Sequence, residues 1–182
     1  MKKIYTIVFL ALICGFTVKA QHYDLGYMNL SAGTGVVSSL QGDTKMPNTS
    51  LSFEYGITEN IGLALNIEYA SSQDITNDYS GKQYSWDYTY LSPSLTGHYH
   101  FASAMNYSIY GALTLGYSKV DSEYSSIDDV EQRDPKESNG LCYGAHIGGR
   151  YYLNDVIGIY TEAGYGSLSI INMGLSLRFN HR

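Results

Sequence analysis

Residues 171–179 read Ile-Asn-Met-Gly-Leu-Ser-Leu-Arg-Phe, and this stretch decides how the rest of the chain is interpreted. Every odd position is large and apolar, and every even position is small or polar. Because successive side chains of a strand point to opposite faces, the pattern predicts a β-strand with one apolar and one polar face. Such a strand fits a soluble sheet packed on a core, and it also fits a membrane strand whose apolar face meets lipid.

Seven earlier segments repeat this alternation, and together with the last they predict an all-β chain of eight strands. They begin near Leu25, Leu51, Ile61, Leu91, Tyr107, Leu141 and Ile157. Each is long enough for the roughly 9–11 residues that a tilted strand needs to cross a bilayer. The first segment alternates least clearly, so its pairing with the last strand is the least certain part of this prediction.

The connections between these segments alternate in length. Short ones follow the second, fourth and sixth segments, at Thr58–Asn60, Ala102–Asn106 and Asn154–Asp155. Longer polar ones follow the first, third and fifth, at Ser39–Ser50, Ala70–Tyr84 and Asp121–Asn139, whereas the last, Gly166–Ser169, is short. Short turns at one end and longer loops at the other are typical of outer-membrane barrels. The sequence therefore predicts an eight-stranded antiparallel up-and-down transmembrane β-barrel, with short periplasmic turns and longer outer loops.

The first 20 residues have the character of a secretory signal peptide. Lys2 and Lys3 precede an apolar run, and Val18-Lys19-Ala20 provides small residues before Gln21. We expect residues 1–20 to be removed, which leaves residues 21–182 as one barrel domain. Cys14 follows Ile13 rather than a small residue, which argues against a lipoprotein anchor.

Charge and cysteine content exclude some functions. Removal of the signal takes three of the 11 basic residues and none of the 17 acidic ones, which leaves eight against 17. This acidic balance argues against nucleic acid as a partner. Cys142 is the one cysteine left, so no internal disulfide can form.

The faces of the predicted strands assign outside and inside. Aromatic residues on the apolar faces lie near the strand ends, where they would form two belts at the membrane surfaces: Tyr55, Tyr99, Phe101, Tyr107, Tyr151 and Phe179 at the turn end, and Tyr69, Tyr117 and Tyr165 at the loop end. The opposite faces carry glycines that make room for large inward tyrosines: Tyr110, Tyr152 and Tyr160. Side chains fill an eight-stranded barrel, so a large open pore is not expected.

Five charged residues have the inward parity and predict a charge network in the barrel interior. They are Glu54, Glu68, Arg150, Glu162 and Arg178. Buried charges are tolerated when they are paired. Since Arg150 and Glu162 flank one short turn, we expect them to pair, and we expect Arg178 to pair with Glu162 or Glu54.

Few residues suggest other chemistry. His98 and His100 share one strand face and could bind a metal or act as a base, but no acid or cysteine neighbours them in sequence. A structural role is favoured for them, for His146 and for Cys142. Asp128, Asp129 and Glu131 lack the glycine and spacing of a calcium loop, so a solvated acidic loop is favoured. We predict no catalytic residue, no metal site and no cofactor.

Two stretches carry a family resemblance. Tyr55–Gly62 resembles the strand-turn-strand of small bacterial outer-membrane barrels, and Glu162–Gly166 followed by Asn172–Phe179 is similar to their closing hairpin. Over roughly residues 22–179 the chain resembles the porin-like OmpA/OmpX/OmpW-like barrel group, especially its Bacteroidetes members. The resemblance implies a monomer in the bacterial outer membrane, surrounded by lipid and lipopolysaccharide and inserted by the barrel-assembly machinery. Many members end on the aromatic residue, whereas residues 180–182 follow Phe179 here.

Three functions remain open at this point. The favoured one is a non-enzymatic structural or surface-interaction role. A narrow passive channel for small solutes is the first alternative. The second is a lipid-modifying enzyme of the deacylase type, which needs a lipid-facing His-x-Ser pair, whereas this chain has His98-Tyr99-His100.

Overall fold

The structure, a computed structural model, describes three ranges of the chain: residues 23–77, 83–126 and 138–179. The predicted signal peptide at residues 1–20 and the acidic cluster of Asp128, Asp129 and Glu131 lie outside these ranges. Within them, no helix has the length and apolar character required to cross a bilayer.

The described residues form eight strands, and these strands make one closed antiparallel sheet in chain order. The strands are β1 (Met28–Ser38), β2 (Asp43–Gly56), β3 (Ile61–Asn77), β4 (Gln83–Ser103), β5 (Tyr107–Ser126), β6 (Ser138–Tyr152), β7 (Ile157–Tyr165) and β8 (Ser169–Phe179). This confirms the predicted eight-stranded barrel. Closure removes free sheet edges, so backbone groups are satisfied within the ring, as hydrocarbon requires.

The ring closes between the last strand and the first. β8 pairs with β1 from Met28 opposite Phe179 to Ser38 opposite Ser169, with register shifts near Val37 at the outer end. The alternating residues 171–179 therefore belong to the strand that completes the barrel.

The outward faces are apolar and exposed, and the inward faces are polar and buried. Leu65 and Leu113 are 66% and 71% exposed, whereas Ser72 and Ser176 are fully buried. This is the reverse of a soluble protein and is stable where the outer face meets lipid. The predicted aromatic residues are exposed on the outside, except the half-buried Tyr107: Tyr55, Tyr99, Phe101, Tyr151 and Phe179 at one end, and Tyr69, Tyr117 and Tyr165 at the other.

The connections at one end of the barrel are short, as predicted. At the other end the strands extend further outward than their apolar alternation indicated. Short turns at residues 57–60, 104–106 and 153–156 join strands at the periplasmic end. At the outer end, β2 already begins at Asp43, β3 continues to Asn77, and β4 begins at Gln83. These extensions are rich in Ser, Thr and Tyr, and they include Trp86. Thr and aromatic residues favour strands. Because these segments lack an apolar face that alternates with a polar one, their polarity suggested loops.

The outer rim is consequently uneven. β3, β4 and β5 have 17, 21 and 20 residues, whereas β7, β8 and β1 have 9, 11 and 11. At about 3.3 Å per residue, the longer strands rise roughly 20 Å beyond the part needed to cross the bilayer. We call this extension, residues 70–77, 83–90 and 119–126, the outer wall.

Candidate functional site in the barrel lumen

Glu54 is the centre of the lumen's periplasmic half. It lies on β2 between the outward-facing Phe53 and Tyr55, so strand alternation turns its carboxylate inward, where it is fully buried. A buried carboxylate needs charged or hydrogen-bonding partners. Four side chains supply them: Arg150, His98, His100 and Tyr23. We call these four and Glu54 the lumen cluster.

Arg150 on β6 forms an ion pair with Glu54 across the lumen. Its Nη1 atom lies 2.5 Å from Glu54 Oε2, and both side chains are buried. The guanidinium also lies 4.6 Å from the centre of the Tyr110 ring. The structure thus pairs Arg150 with Glu54 rather than with Glu162, the partner expected from the shared turn.

The two histidines of β4 complete the polar shell around Glu54. His98 Nδ1 lies 3.3 Å from Glu54 Oε2, and His100 Nε2 lies 2.8 Å from Oε1. His100 Nδ1 is 2.7 Å from the Ser108 hydroxyl. Because an ionised carboxylate only accepts hydrogen bonds, His100 donates through Nε2, and in its neutral form accepts from Ser108 through Nδ1. Both imidazole rings are therefore buried in the lumen and held against the Glu54 carboxylate.

The segment before β1 closes the periplasmic mouth, a contact that the alternation pattern of the strands does not predict. Tyr23 donates to Glu54 Oε1 at 2.7 Å and stacks on His100 with ring centres 3.8 Å apart. Tyr27 packs 4.5 Å from Tyr23, and its hydroxyl bonds to that of Tyr152. A turn at Gly26, whose φ is +81°, positions the two rings. In the sequence, the glycine between Tyr23 and Tyr27 is the one sign of this turn, and such a pattern is too common to predict a closed mouth.

Gly62 leaves the space that Tyr23 occupies. A Cβ atom at this position would lie 2.2 Å from the Tyr23 hydroxyl and 2.3 Å from Glu54 Oε1. The same relationship holds between Gly148 and Tyr110, where the distance to the ring would be 2.6 Å. Inward glycines therefore make room for large inward side chains, as expected.

Arg178 holds the periplasmic turns together. Its side chain donates to the carbonyl oxygens of Met105 at 2.9 Å and Asp155 at 3.1 Å, and it lies 4.1 Å from the centre of the Tyr152 ring. The expected pairing with Glu162 or Glu54 is replaced by these backbone contacts.

Glu68 fixes a second closure at the opposite end. Its Oε1 atom accepts from the Ser167 hydroxyl at 2.6 Å and from Asn48 Nδ2 at 3.1 Å. Ser167 belongs to residues 166–168, the outer turn that joins β7 and β8. Gly166 begins this turn at a φ of +96°, and a Cβ atom there would lie 2.1 Å from the Tyr143 carbonyl oxygen. The short outer connection therefore folds against the lumen.

A small polar cavity lies between the lumen cluster and the outer turn. Its volume is about 60 Å³, and it is lined by serine, threonine and asparagine together with both glutamates of the outer half: Ser50, Ser52, Asn66, Glu68, Ser94, Thr96, Thr114 and Glu162. Glu162 accepts from the Tyr110 hydroxyl at 2.6 Å. A space of this size and polarity holds roughly four water molecules.

Cys142 and His146 also line this cavity, and neither is part of an ion pair in the described residues. In the same ranges, no three His, Cys, Asp or Glu side chains are grouped so that they could hold a metal ion. The lumen thus offers hydrogen bonding and one central ion cluster.

Comparisons with known proteins agree with this architecture. The model of a family described as "Outer membrane protein beta-barrel domain" matches residues 8–180. No curated protein matches the sequence.

Two solved structures share the fold at low sequence identity. The N-terminal β-barrel domain of Pseudomonas aeruginosa OprF has 14% identity and a TM-score of 0.51, covering 85% of this chain and 98% of its own. The Yersinia pestis outer-membrane protein Ail, in a phospholipid nanodisc, has 19% identity and a TM-score of 0.50, covering 85% of this chain and 99% of its own.

Proposed function

Since this chain belongs to the outer membrane protein β-barrel domain family, we propose that it is a closed, non-conducting barrel that presents the outer wall for surface interactions. It is an integral protein of the bacterial outer membrane. In this role the barrel anchors the protein in the membrane, the outer wall contacts a partner, and the side chains of the lumen stabilise the fold.

The double closure of the lumen is the observation that supports this proposal. Tyr23 and Tyr27 fill the periplasmic mouth, where they are 2% and 5% exposed, and the outer turn is bonded to Glu68 at the other end. The cavity of about 60 Å³ beside the lumen cluster is too small for a solute larger than a few waters, and it adjoins a wider space of about 340 Å³ at the outer turn, with which it shares Glu68, Cys142 and Ser167. Passage would require both closures to open.

The position of the histidines supports a non-enzymatic role. A lipid-modifying enzyme needs its nucleophile and base where the acyl chains reach them. His98 and His100 are buried on the inward face and are held by Glu54. Their ring nitrogens point away from lipid.

The outer surface supports the proposed surroundings. The exposed leucines and the aromatic belts suit lipid and lipopolysaccharide, and the ring needs no partner subunit to pair its edges. We therefore propose a monomer that reaches the membrane through a cleaved signal peptide and the barrel-assembly machinery.

A narrow passive channel is the second candidate, and the hydroxyl-lined cavity is what favours it. Recordings in planar bilayers separate the two. The wild-type barrel should show no steady conductance, whereas a Tyr23→Ala/Glu68→Ala variant, which loosens both closures, should show frequent openings. Steady wild-type conductance would overturn the closed-barrel proposal. Heat-modifiable gel migration of both proteins verifies that the barrels recorded are folded.

A further inference from the structure

The inner face of the outer wall is aromatic. The even positions of β4 continue the inward parity of Ser92 and Ser94 beyond the membrane, and there they carry large rings: Tyr84, Trp86, Tyr88 and Tyr90. Tyr124 on β5 pairs opposite Trp86 and joins the same face. Each of these five residues is partly exposed.

Tyr84 and Tyr124 stack with ring centres 5.9 Å apart at 27°, whereas two other pairs of rings on this face are tilted. Trp86 and Tyr124 lie 5.1 Å apart at 59°, and Tyr88 and Tyr90 lie 6.4 Å apart at 37°. A sugar ring stacks best on one flat, open aromatic surface. Tilted neighbours instead form the sides of a cage, an arrangement that surrounds a cation with electron-rich ring faces.

A carboxylate stands beside these rings. Asp74 on β3 is directly opposite Trp86 in the strand register, and it is exposed. Cross-strand neighbours on one face lie about 5 Å apart at Cβ. The described lysines near the wall are engaged elsewhere, because Lys45 pairs with Asp87 and Lys119 pairs with Asp121.

Within the described ranges, the strands on the opposite side of the barrel are shorter than those of the wall. β7 and β8 end near the membrane surface, while β3, β4 and β5 continue past it. The inner face of the wall therefore looks across the barrel mouth toward the outside. An extended peptide could lie along it without displacing any described strand.

We propose that this face binds a cationic peptide segment of a surface protein, with an arginine or lysine side chain over Trp86 and Tyr88 and its charge paired with Asp74. The inference rests on the proposed surface role and names the chemistry of its partner. The acidic balance of the chain favours a basic partner and steers it toward the wall. An anionic partner would meet repulsion from the same charges.

Trp86 is the one tryptophan of the sequence, so its fluorescence reports binding at this face. The barrel, in nanodiscs of neutral phosphatidylcholine, is titrated with acetyl-Arg-Gly-Arg-Gly-Arg-amide. The same peptide with citrulline in place of arginine is the uncharged control. We expect saturable Trp86 quenching by the arginine peptide that weakens as salt rises, and little response to the citrulline peptide.

Two matched charge variants localise the site. Asp74→Asn should weaken binding about three- to fivefold, while Glu123→Gln, on the outer face of the same wall, should change it less than about twofold. Tyr88→Leu should weaken binding without changing charge. Heat-modifiable migration verifies that each variant is folded.

Equal quenching by the citrulline peptide, equal effects of Asp74→Asn and Glu123→Gln, or a response to maltoheptaose alone would overturn the proposal. These outcomes are distinct from failure of the closed-barrel proposal, which steady conductance would show whether or not the peptide binds.

Discussion

Arg150 and Glu54 form a buried ion pair between strands that are not neighbours, with Nη1 and Oε2 2.5 Å apart. The pair spans the lumen from β6 to β2. It therefore ties opposite sides of the ring together, a connection that the hydrogen bonds of the sheet do not make.

Removal of one member of this pair should cost much more than removal of both. Glu54→Gln or Arg150→Met alone leaves a buried charge without its partner, so the free energy of unfolding should fall by about 3–5 kcal/mol. The double variant should recover a large part of this loss. Guanidinium unfolding of the barrel in vesicles gives these values.

The exposed pair Lys45–Asp87 provides the control for this prediction. Its side chains are 46% and 36% exposed, so Asp87→Asn should cost no more than about 1 kcal/mol. A similar cost for Glu54→Gln and Asp87→Asn would contradict a stabilising role for the lumen cluster.

A methyl group at position 62 should displace Tyr23. Gly62→Ala places its Cβ atom 2.2 Å from the Tyr23 hydroxyl, and loss of the hydrogen bond to buried Glu54 should destabilise the barrel by about 1–3 kcal/mol. The same substitution at outward-facing Gly111, where nothing lies within 4 Å, should be nearly neutral. Equal unfolding midpoints of the two variants would show that Tyr23 does not depend on this space.

The backbone of the outer turn should not accept a side chain at position 166. Gly166→Ala combines a φ of +96° with a contact of 2.1 Å to a carbonyl oxygen, so the strain should cost about 1–3 kcal/mol or reorganise the turn. Gly140→Ala, for which no atom lies within 4 Å, is the matched control. Proteolysis of intact cells should cut the Gly166→Ala turn faster than that of the control.

Loss of the Glu68 contacts should increase the accessibility of Cys142, which is half-buried in the folded barrel. Cys142 lines the cavity beside Gly166 and Ser167, and Ser167 donates to Glu68 at 2.6 Å. A hydrogen bond to a charged group contributes about 1.5–3 kcal/mol, so Glu68→Ala should increase the open population roughly tenfold or more. The rate of Cys142 modification by a small maleimide, added to folded barrels, measures this change. An unchanged rate would mean that the outer turn does not limit access.

The fold could be predicted from the sequence because lipid imposes a strict rule on every strand. Leu175, Leu177 and Phe179 alternate with small or polar residues, and the same period recurs in the other strands. The outer wall was harder to predict, because strands in water need no apolar face. Its polar and aromatic residues nevertheless form regular strand pairs, for example Asp74 on β3 opposite Trp86 on β4.

The partners in the lumen could be predicted only in part. Sequence reasoning pairs charges on adjacent strands, and it suggested Arg150 with Glu162. In the register, however, Arg150 lies opposite Tyr160, and Glu162 lies opposite Gly148. The long arginine side chain instead reaches across the barrel, at a distance that strand tilt and stagger determine and that local spacing does not reveal.

The arrangement of the lumen cluster also constrains the order of assembly. Its members come from the segment before β1 and from β2, β4 and β6, so no hairpin of neighbouring strands contains the Glu54–Arg150 pair. A half-formed sheet would enter the hydrocarbon with an unneutralised carboxylate, at a high energetic cost. Insertion of a partial sheet that lacks β6 is therefore disfavoured, because the carboxylate of Glu54 meets the Arg150 guanidinium only when β2 and β6 face each other across the lumen.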